Sequence, residues 1–178
     1  MNRNMIWLCL WGGLCVLFFT QAKADTDTRT PEDFCRDWFG QAAQTVPLAL
    51  CNTNVVVQEV TLDGKPSGWL FRTDQVPPVC KGKRGQIAVL VAVGTDAHIK
   101  GLTVLAHKED PRYFLRLKKV FFEQFRNQRA DENLIKFDAV TKATLSSRAI
   151  IRDVMEGTRV VIAQPEVAAK LNSGKKGG

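Results

Sequence analysis

The sequence of 178 residues is poor in the side chains that usually bind metals or haem. It contains 2 histidines and 5 cysteines, and no two of the cysteines are spaced as CxxC. Zinc sites, thioredoxin-like redox sites and c-type haem attachment therefore have no local support. Because His98 and His107 are the only histidines and the acidic residues are not clustered, we predict no metal site.

The sequence also lacks an apolar run long enough to span a membrane. Residues 5–19 are apolar, but a spanning helix needs about 20 such residues. The run follows the basic Arg3 and precedes a small-x-small cleavage signal at residues 22–24. We therefore predict that residues 1–24 are a signal peptide for export to the periplasm, cleaved before Asp25. A retained N-terminal membrane anchor is the alternative.

Export would leave three cysteines in the mature chain, which are Cys35, Cys51 and Cys80. An odd number in an oxidising compartment allows at most one intramolecular disulfide. Cys35 with Cys51 is the favoured pair, because both lie in the N-terminal segment. Buried, unreactive thiols are the alternative.

The chain has a moderate excess of positive charge. Its formal net charge is +7, and loss of Arg3 and Lys23 with the signal would leave +5 (7 − 2). Much of the excess lies in residues 81–84, 116–119 and 175–176. This pattern is typical of a solvated basic face, and it also suits a bound phosphate or an acidic redox partner. Basic and aromatic residues do not interleave, so we predict no nucleic-acid binding.

Capping signals and apolar periodicity predict three helices. The first begins after Thr30, with proline next and an acid three residues beyond the cap, and ends at Gly40 or Pro47. The second covers residues 113–129. The third begins near Thr144 and ends near Gly157. The apolar face of the second helix is expected to carry Phe114, Leu117, Phe121 and Phe125.

Four β-rich segments predict two hairpins. Residues 55–62 and 69–73 flank an Asp-Gly turn, with a loop of more than two residues because Pro66 follows. Residues 86–93 and 99–105 form the second hairpin. We therefore predict a single α+β domain over residues 25–172, built as an antiparallel sheet of two hairpins with flanking helices, and a disordered tail at residues 173–178.

Residues 138–147 are rich in hydroxyl side chains and lead into the third helix. The N-terminus of a helix has free N–H groups and a partial positive charge, so it suits a phosphate. A threonine placed there could cap the helix, bind a phosphate or carry one covalently.

This segment resembles the flavinylation motif of FMN-binding domains, as found in NqrC and RnfG subunits of ion-pumping redox complexes and in NosR/NirI regulators. That motif reads Asp-x-x-Ser/Thr-Gly-Ala-Thr, often followed by x-Ser/Thr-Ser. The matching residues are Asp138, Thr141, Ala143, Thr144, Ser146 and Ser147. Lys142 stands where the family usually has glycine.

A second block lies in the order that the family shows. Residues 82–85 resemble its Gly-Tyr-x-Gly stretch, with Lys83 in place of the aromatic residue and Gly85 as the last glycine. The second hairpin is followed by His107 and Glu109, which is similar to the family's His-x-Glu segment. The resemblance covers roughly residues 68–159.

The resemblance implies that FMN is the cofactor and that a dedicated flavin transferase joins its phosphate to the Thr144 hydroxyl. Ser146, Ser147 and Thr141 would then donate hydrogen bonds to phosphate oxygens, and Lys142 would pair with its charge. Asp138 belongs to the signature that the transferase recognises. Ala143, which precedes the acceptor, also belongs to the motif. His107 and Glu109 would line the isoalloxazine pocket.

The function implied is that of an exported electron-transfer flavoprotein with a periplasmic or membrane redox partner. No catalytic base, nucleophile or nicotinamide fingerprint is evident, so an electron carrier is favoured over a substrate-transforming enzyme. Lys142 and Lys83 favour the alternative of a flavin-free binding or assembly module of the same fold. A noncovalent FMN binder is the intermediate case.

Overall fold

The computed structural model of the chain describes residues 29–51, 55–117, 121–130, 137 and 144–171. Its centre is a five-stranded antiparallel sheet whose strands are neighbours in chain order. The strands are β1 (Gln44–Ala49), β2 (Val56–Leu62), β3 (Lys65–Arg72), β4 (Ala88–Gly94) and β5 (Ile99–Ala106). The helices are α1 (Pro31–Phe39), α2 (Pro111–Arg116), α3 (Thr144–Ile162) and α4 (Pro165–Leu171), with a 3₁₀ helix at Phe122–Phe125. The predicted α+β class is confirmed.

Two predicted segments lie outside the described residues: the signal peptide at residues 1–24 and the tail at residues 173–178. Within the described ranges, no helix combines the length and the apolar character that a membrane crossing requires.

The two predicted hairpins are present, and they are joined into one sheet by pairing of β3 with β4. The sequence did not predict β1, which adds a fifth strand beside β2. Pro47 was expected to end a helix, but it lies inside β1 opposite Gln58. A proline has no N–H to donate, and an edge strand tolerates it because one side of the strand has no partner.

The turn between β2 and β3 is shorter than predicted. Asp63 and Gly64 alone form the loop, with φ angles of 49° and 73°. Two consecutive residues with positive φ match the twist of a tight hairpin. Val60 pairs with Gly68 whereas Thr61 pairs with Pro66, so the extra residue that we placed in the loop is a bulge in β3 instead.

The sheet is covered on both faces. Successive side chains of a strand point to opposite faces, and Leu70 accordingly packs with Phe34 of α1 in one core. Trp69 and Phe71 pack in the other core with Ile150 of α3. The whole of β4 is buried between these layers. Burial of each large apolar side chain stabilises the fold by about 1.5–3 kcal/mol.

The start of α1 is as predicted. Thr30 caps the helix, and the Asp33 carboxylate accepts a hydrogen bond from the Thr30 backbone N–H at 2.9 Å. The helix ends at Gly40, one of the two predicted stops. Its Trp38 indole lies directly over Gly101 of β5, where a Cβ would overlap the ring. A glycine at this position therefore lets α1 approach the sheet.

The prediction of one helix over residues 113–129 is wrong. Helix α2 begins earlier, at Pro111, where Asp110 accepts a hydrogen bond from the Arg112 N–H at 3.0 Å. Among the described residues that follow, Phe122–Phe125 form a 3₁₀ helix, and the chain turns at Asn127, whose φ is 61°. Backbone hydrogen bonds that join Asn127 and Gln128 to Ile99 then bring the chain back to β5. The predicted apolar face is nevertheless buried, at Phe114, Leu117, Phe121 and Phe125.

Helix α3 starts at the predicted residue but does not end near Gly157. It continues to Ile162, because Val161 is fully buried and extends the apolar face. The missing side chain of Gly157 makes room for the Phe71 ring, which lies 3.2 Å from the position of a Cβ. Helix α4, which the sequence did not predict, follows directly and is tied to β2 through a 2.7 Å bond from Lys170 to Glu59.

No disulfide joins Cys35, Cys51 and Cys80 in the described residues; all three are free thiols. The favoured Cys35–Cys51 pair is therefore wrong in this structure. Cys35 is buried in the core under α1, whereas the Cys51 N–H bonds to Glu166 of α4 at 3.1 Å. The two residues belong to different parts of the fold.

Candidate functional site

An open cleft of about 730 Å³ lies between the loop before β4 and the end of β5. Its size is within the range of small-molecule sites, roughly 300–1,000 Å³. Two of the predicted site residues, Gly85 and His107, line it. The full lining consists of Asp74, Lys81, Gly82, Lys83, Arg84, Gly85, Gln86, Ala88, Ala106, His107 and Lys108.

The cleft is strongly basic. Its basic lining residues are Lys81, Lys83, Arg84 and Lys108. The single acid of the lining, Asp74, accepts two hydrogen bonds from Arg72, at 3.0 and 2.7 Å. These bonds hold the pKa of the Asp74 carboxyl below its usual range, against the opposing effect of burial. Because Arg72 neutralises Asp74, the cleft presents a net positive charge to a ligand.

Glu109 connects the loop of the cleft with the start of α3. Its Oε1 accepts a hydrogen bond from the Arg84 N–H at 2.7 Å. Its Oε2 accepts one from the Ser146 hydroxyl at 2.8 Å. Glu109 is 9% exposed and Ser146 4% exposed. We predicted both residues from the resemblance, but the structure uses them to bind each other, and Glu109 does not line the cleft.

Two glycines shape the loop. Gly82 lies against the Glu109 carboxylate, so that a Cβ would come within 2.7 Å of Oε1 and 2.9 Å of the Ile87 side chain. Its N–H donates to the Gly85 carbonyl at 2.7 Å and closes the loop. Gly85 has a φ of 146°, a conformation that side-chain-bearing residues rarely adopt.

Thr144 is the first residue of α3 and is exposed. In a helix its Cα lies about 5.5 Å from that of Ser146. The Ser146–Glu109 bond therefore places Thr144 close to the segment that holds the cleft loop. Ser147 is fully buried in the same first turn. This turn has N–H groups without partners inside the helix, which suits an anion.

His107 lies at one wall of the cleft and its ring stacks on that of Phe114 in α2. The ring centroids are 3.6 Å apart and the planes differ by 18°. The stack connects the end of β5 to α2 and fixes the imidazole orientation. The other histidine, His98, is partly exposed, and its Nδ1 lies 3.3 Å from an Asp96 carboxylate oxygen.

Immediately before the loop, Cys80 contacts a buried acid of α3. The Cys80 N–H donates to the Asp153 carboxylate at 2.8 Å, and Asp153 is 2% exposed. Burial raises the pKa of the Asp153 carboxyl, although its hydrogen bonds with Cys80 act in the opposite direction. No local signal in the sequence indicates this contact, because 73 residues separate the partners.

Four of the predicted site residues lie outside the described residues: Asp138, Thr141, Lys142 and Ala143. The structure brings Glu109 and Ser146 together and places Gly85 and His107 in one cleft. The sequence did not predict the part played by Lys81, Lys108 and Asp74. Of these three residues, Lys81 alone lies in the basic cluster at residues 81–84 that the sequence shows.

Comparison with known proteins assigns the same segment to one family. Residues 82–157 match the family model of the FMN-binding domain. The chain is also similar to one subunit of the proton-translocating ferredoxin:NAD(+) oxidoreductase complex of Clostridium ljungdahlii. The identity is 32% over 95 residues, which cover 48% of this chain and 51% of that protein. The chain thus spans about half the length of this curated relative.

The match over residues 82–157 confirms the predicted resemblance to the FMN-binding domain family, and with it FMN as the predicted cofactor. The described residues fit such a cofactor. The cationic lining of the cleft suits its phosphate, Gly85 leaves its part of the lining free of a side chain, and the first turn of α3 offers N–H donors. Within the described ranges, no group of three metal-ligating side chains accompanies this site.

Proposed function

We propose that this chain is an exported electron-transfer protein whose FMN is joined to Thr144 through a phosphoester bond. The single observation that carries the proposal is the position of Thr144. It is exposed at the start of α3, and the same helical turn is bonded through Ser146 to the residue that holds the cleft loop. This connection supports a single site formed by the Thr144 hydroxyl and the basic cleft.

The attachment needs a flavin dinucleotide and a transferase, which this chain does not supply. The Thr144 Oγ would attack the phosphorus on the flavin side of the pyrophosphate. The new Oγ–P bond forms as the bond between that phosphorus and the bridging oxygen breaks. The adenosine monophosphate leaves, and the hydroxyl proton passes to solvent or a base of the transferase. Nothing is oxidised or reduced in this step.

Bound FMN supplies electron transfer, while the protein binds, orients and tunes it. The basic lining would attract the phosphate and favour an acidic redox partner over a basic one. The relative named above belongs to a ferredoxin:NAD(+) oxidoreductase complex, which supports a membrane-associated redox partner for this chain. The predicted signal peptide at residues 1–24 supports periplasmic export.

The test is co-expression of the full chain with a flavin transferase, followed by recovery from the periplasmic fraction. We expect flavin fluorescence that stays with the band on a denaturing gel. The intact mass should rise by FMN minus one water. Thr144→Ala should abolish both signals, whereas Thr45→Ala, in the edge strand β1, should keep them. Covalent flavin on the Thr144→Ala protein would show that the attachment site is wrong.

A noncovalent FMN binder is the second candidate. It is favoured by Lys83, a cation that lines the cleft where the family has an aromatic residue. In that case the flavin would copurify with the native protein and leave the band on denaturation. A flavin-free binding module would show no flavin absorbance under either condition.

A further inference from the structure

We infer that Glu109 is a positioning residue that holds the two halves of the flavin site in one arrangement. The inference rests on the proposed function, because it concerns the same site. One half is the loop at residues 82–85, which lines the cleft. The other half is the first turn of α3, which carries Thr144.

Each carboxylate oxygen of Glu109 accepts a hydrogen bond from one half of the site. Oε1 accepts the Arg84 N–H at 2.7 Å, and Oε2 accepts the Ser146 hydroxyl at 2.8 Å. The partners lie 25 and 37 residues away in sequence, so local chain geometry does not bring them together. Both Glu109 and Ser146 are buried. Water has little access to replace either bond if the carboxylate is removed.

Gly82 makes this arrangement possible. The carboxylate lies so close to its Cα that a Cβ would come within 2.7 Å of Oε1. A second hydrogen bond joins the segment before the loop to α3, from the Cys80 N–H to Asp153 at 2.8 Å. That bond holds the approach to the loop, whereas Glu109 holds the loop itself. Loss of Glu109 should therefore loosen the loop without separating the whole segment from α3.

The first experiment is amide hydrogen exchange on the purified full chain before flavin loading. In Glu109→Ala, exchange should accelerate by about ten-fold to a hundred-fold at the Arg84 amide and at the amides that bond to carbonyls of the first turn of α3. Glu109→Gln has the same length, with a carbonyl for the Arg84 N–H and an amide N–H for the Ser146 oxygen. It should restore most of the protection.

The matched control is Glu123→Ala. The Glu123 side chain is 67% exposed and pairs only loosely with Arg126, at 3.6 Å. Its removal should leave exchange at both positions unchanged. Unaltered exchange in Glu109→Ala would overturn the inference. The inference would also be overturned if amide exchange in Glu109→Gln were as fast as in Glu109→Ala, because a side chain of the same length with hydrogen-bonding groups should hold both partners.

The second experiment uses the flavin-loaded protein and the visible circular dichroism of the flavin. Glu109→Ala should change the sign or intensity of the bands, and Glu109→Gln should return them toward wild type. Faster exchange with an unchanged flavin spectrum would show that Glu109 joins the loop and helix without positioning the flavin. If wild type takes up no flavin, the proposed function fails, and exchange alone decides whether Glu109 joins the two segments.

Discussion

The Cys80 thiol should react unusually slowly with alkylating agents, and Asp153→Asn should make it more reactive. Burial comes first among the causes that raise the pKa of the Cys80 thiol from 9.0 to about 11, followed by its hydrogen bond and charge interaction with Asp153. Glu156 adds to the rise and Arg152 opposes it. At about pH 8 the thiolate fraction would be roughly one in a thousand, against about one in ten for an ordinary thiol.

Because the thiolate is the nucleophile, alkylation of Cys80 at about pH 8 should be slowed by roughly a hundred-fold. The assay is iodoacetamide labelling of the native protein over the alkaline range, read by mass spectrometry of the Cys80 peptide. The same peptide in urea gives the reference rate. The position of the pH midpoint, rather than the absolute rate, separates a raised pKa from simple shielding of the sulfur.

We expect a Cys80 midpoint near 11 in wild type and a lower midpoint in Asp153→Asn, which removes the facing negative charge. Cys51 is the internal comparison, because Glu166 rather than Asp153 raises the pKa of its thiol. A wild-type Cys80 midpoint at 9.0, the ordinary value, would refute the reasoning. An unchanged midpoint in Asp153→Asn would refute the assignment to Asp153.

Asp153→Asn should also change how stability depends on pH. Burial raises the folded-state pKa of the Asp153 carboxyl above 3.8. A raised pKa gives stability that is complete below the unfolded value and is lost as pH rises through the folded value. The asparagine can still accept the Cys80 N–H but never ionises. The free energy of unfolding in urea should therefore rise in the variant, relative to wild type, more at neutral pH than at acid pH. If the difference between the two proteins is the same at both pH values, Asp153 is not the cause.

Two further predictions concern the packing of α1 and the charge of the cleft. Gly101→Ala should destabilise the fold by about 1–3 kcal/mol, because its Cβ would overlap the Trp38 indole. Thermal unfolding measures the loss, and Trp38→Leu in the same chain should recover part of it. Lys83→Glu combined with Lys108→Glu should weaken binding of free FMN to the flavin-free protein by at least about ten-fold, measured by fluorescence quenching. Lys65→Glu in the β2–β3 hairpin should leave FMN binding unchanged. If it weakens binding as much as the cleft variant does, the overall charge of the protein decides the affinity.

Local signals in the sequence predicted the helices and hairpins that begin or turn at characteristic capping and turn residues. Thr30 and Asp33 form the expected capping box at the start of α1. The start of α3 at Thr144 and the two hairpins follow equally from residues close to one another in the chain. The capping box and the Asp63-Gly64 turn involve residues no more than about four apart, which a single sequence displays directly.

The elements that were missed depend on partners far away in the chain. Strand β1 contains Pro47, and only its place beside β2 makes it a strand. The helix predicted over residues 113–129 has the right apolar spacing, but Asn127 and Gln128 bond to β5 instead of continuing it. Apolar spacing reports which side chains are buried, and it does not report whether the backbone between them is one helix.

The candidate site shows the same division. The resemblance predicted Glu109 and Ser146 as separate contributors to a flavin pocket, whereas the structure bonds them to each other. A carboxylate and a hydroxyl 37 residues apart carry no sign of their pairing in the sequence. Gly82 was a hint, because a glycine is needed where a buried side chain lies against the backbone.

The acids and the cations of this region serve different purposes. Glu109 and Asp153 are buried and accept hydrogen bonds from backbone N–H groups and a hydroxyl. They thus organise the loop without consuming the charge of the lysines. Among the described residues, no ion pair involves Lys81, Lys83 or Lys108. Arg84 of the loop pairs with Asp110 at 3.5 Å, but the three lysines keep their positive charge for an anionic cofactor.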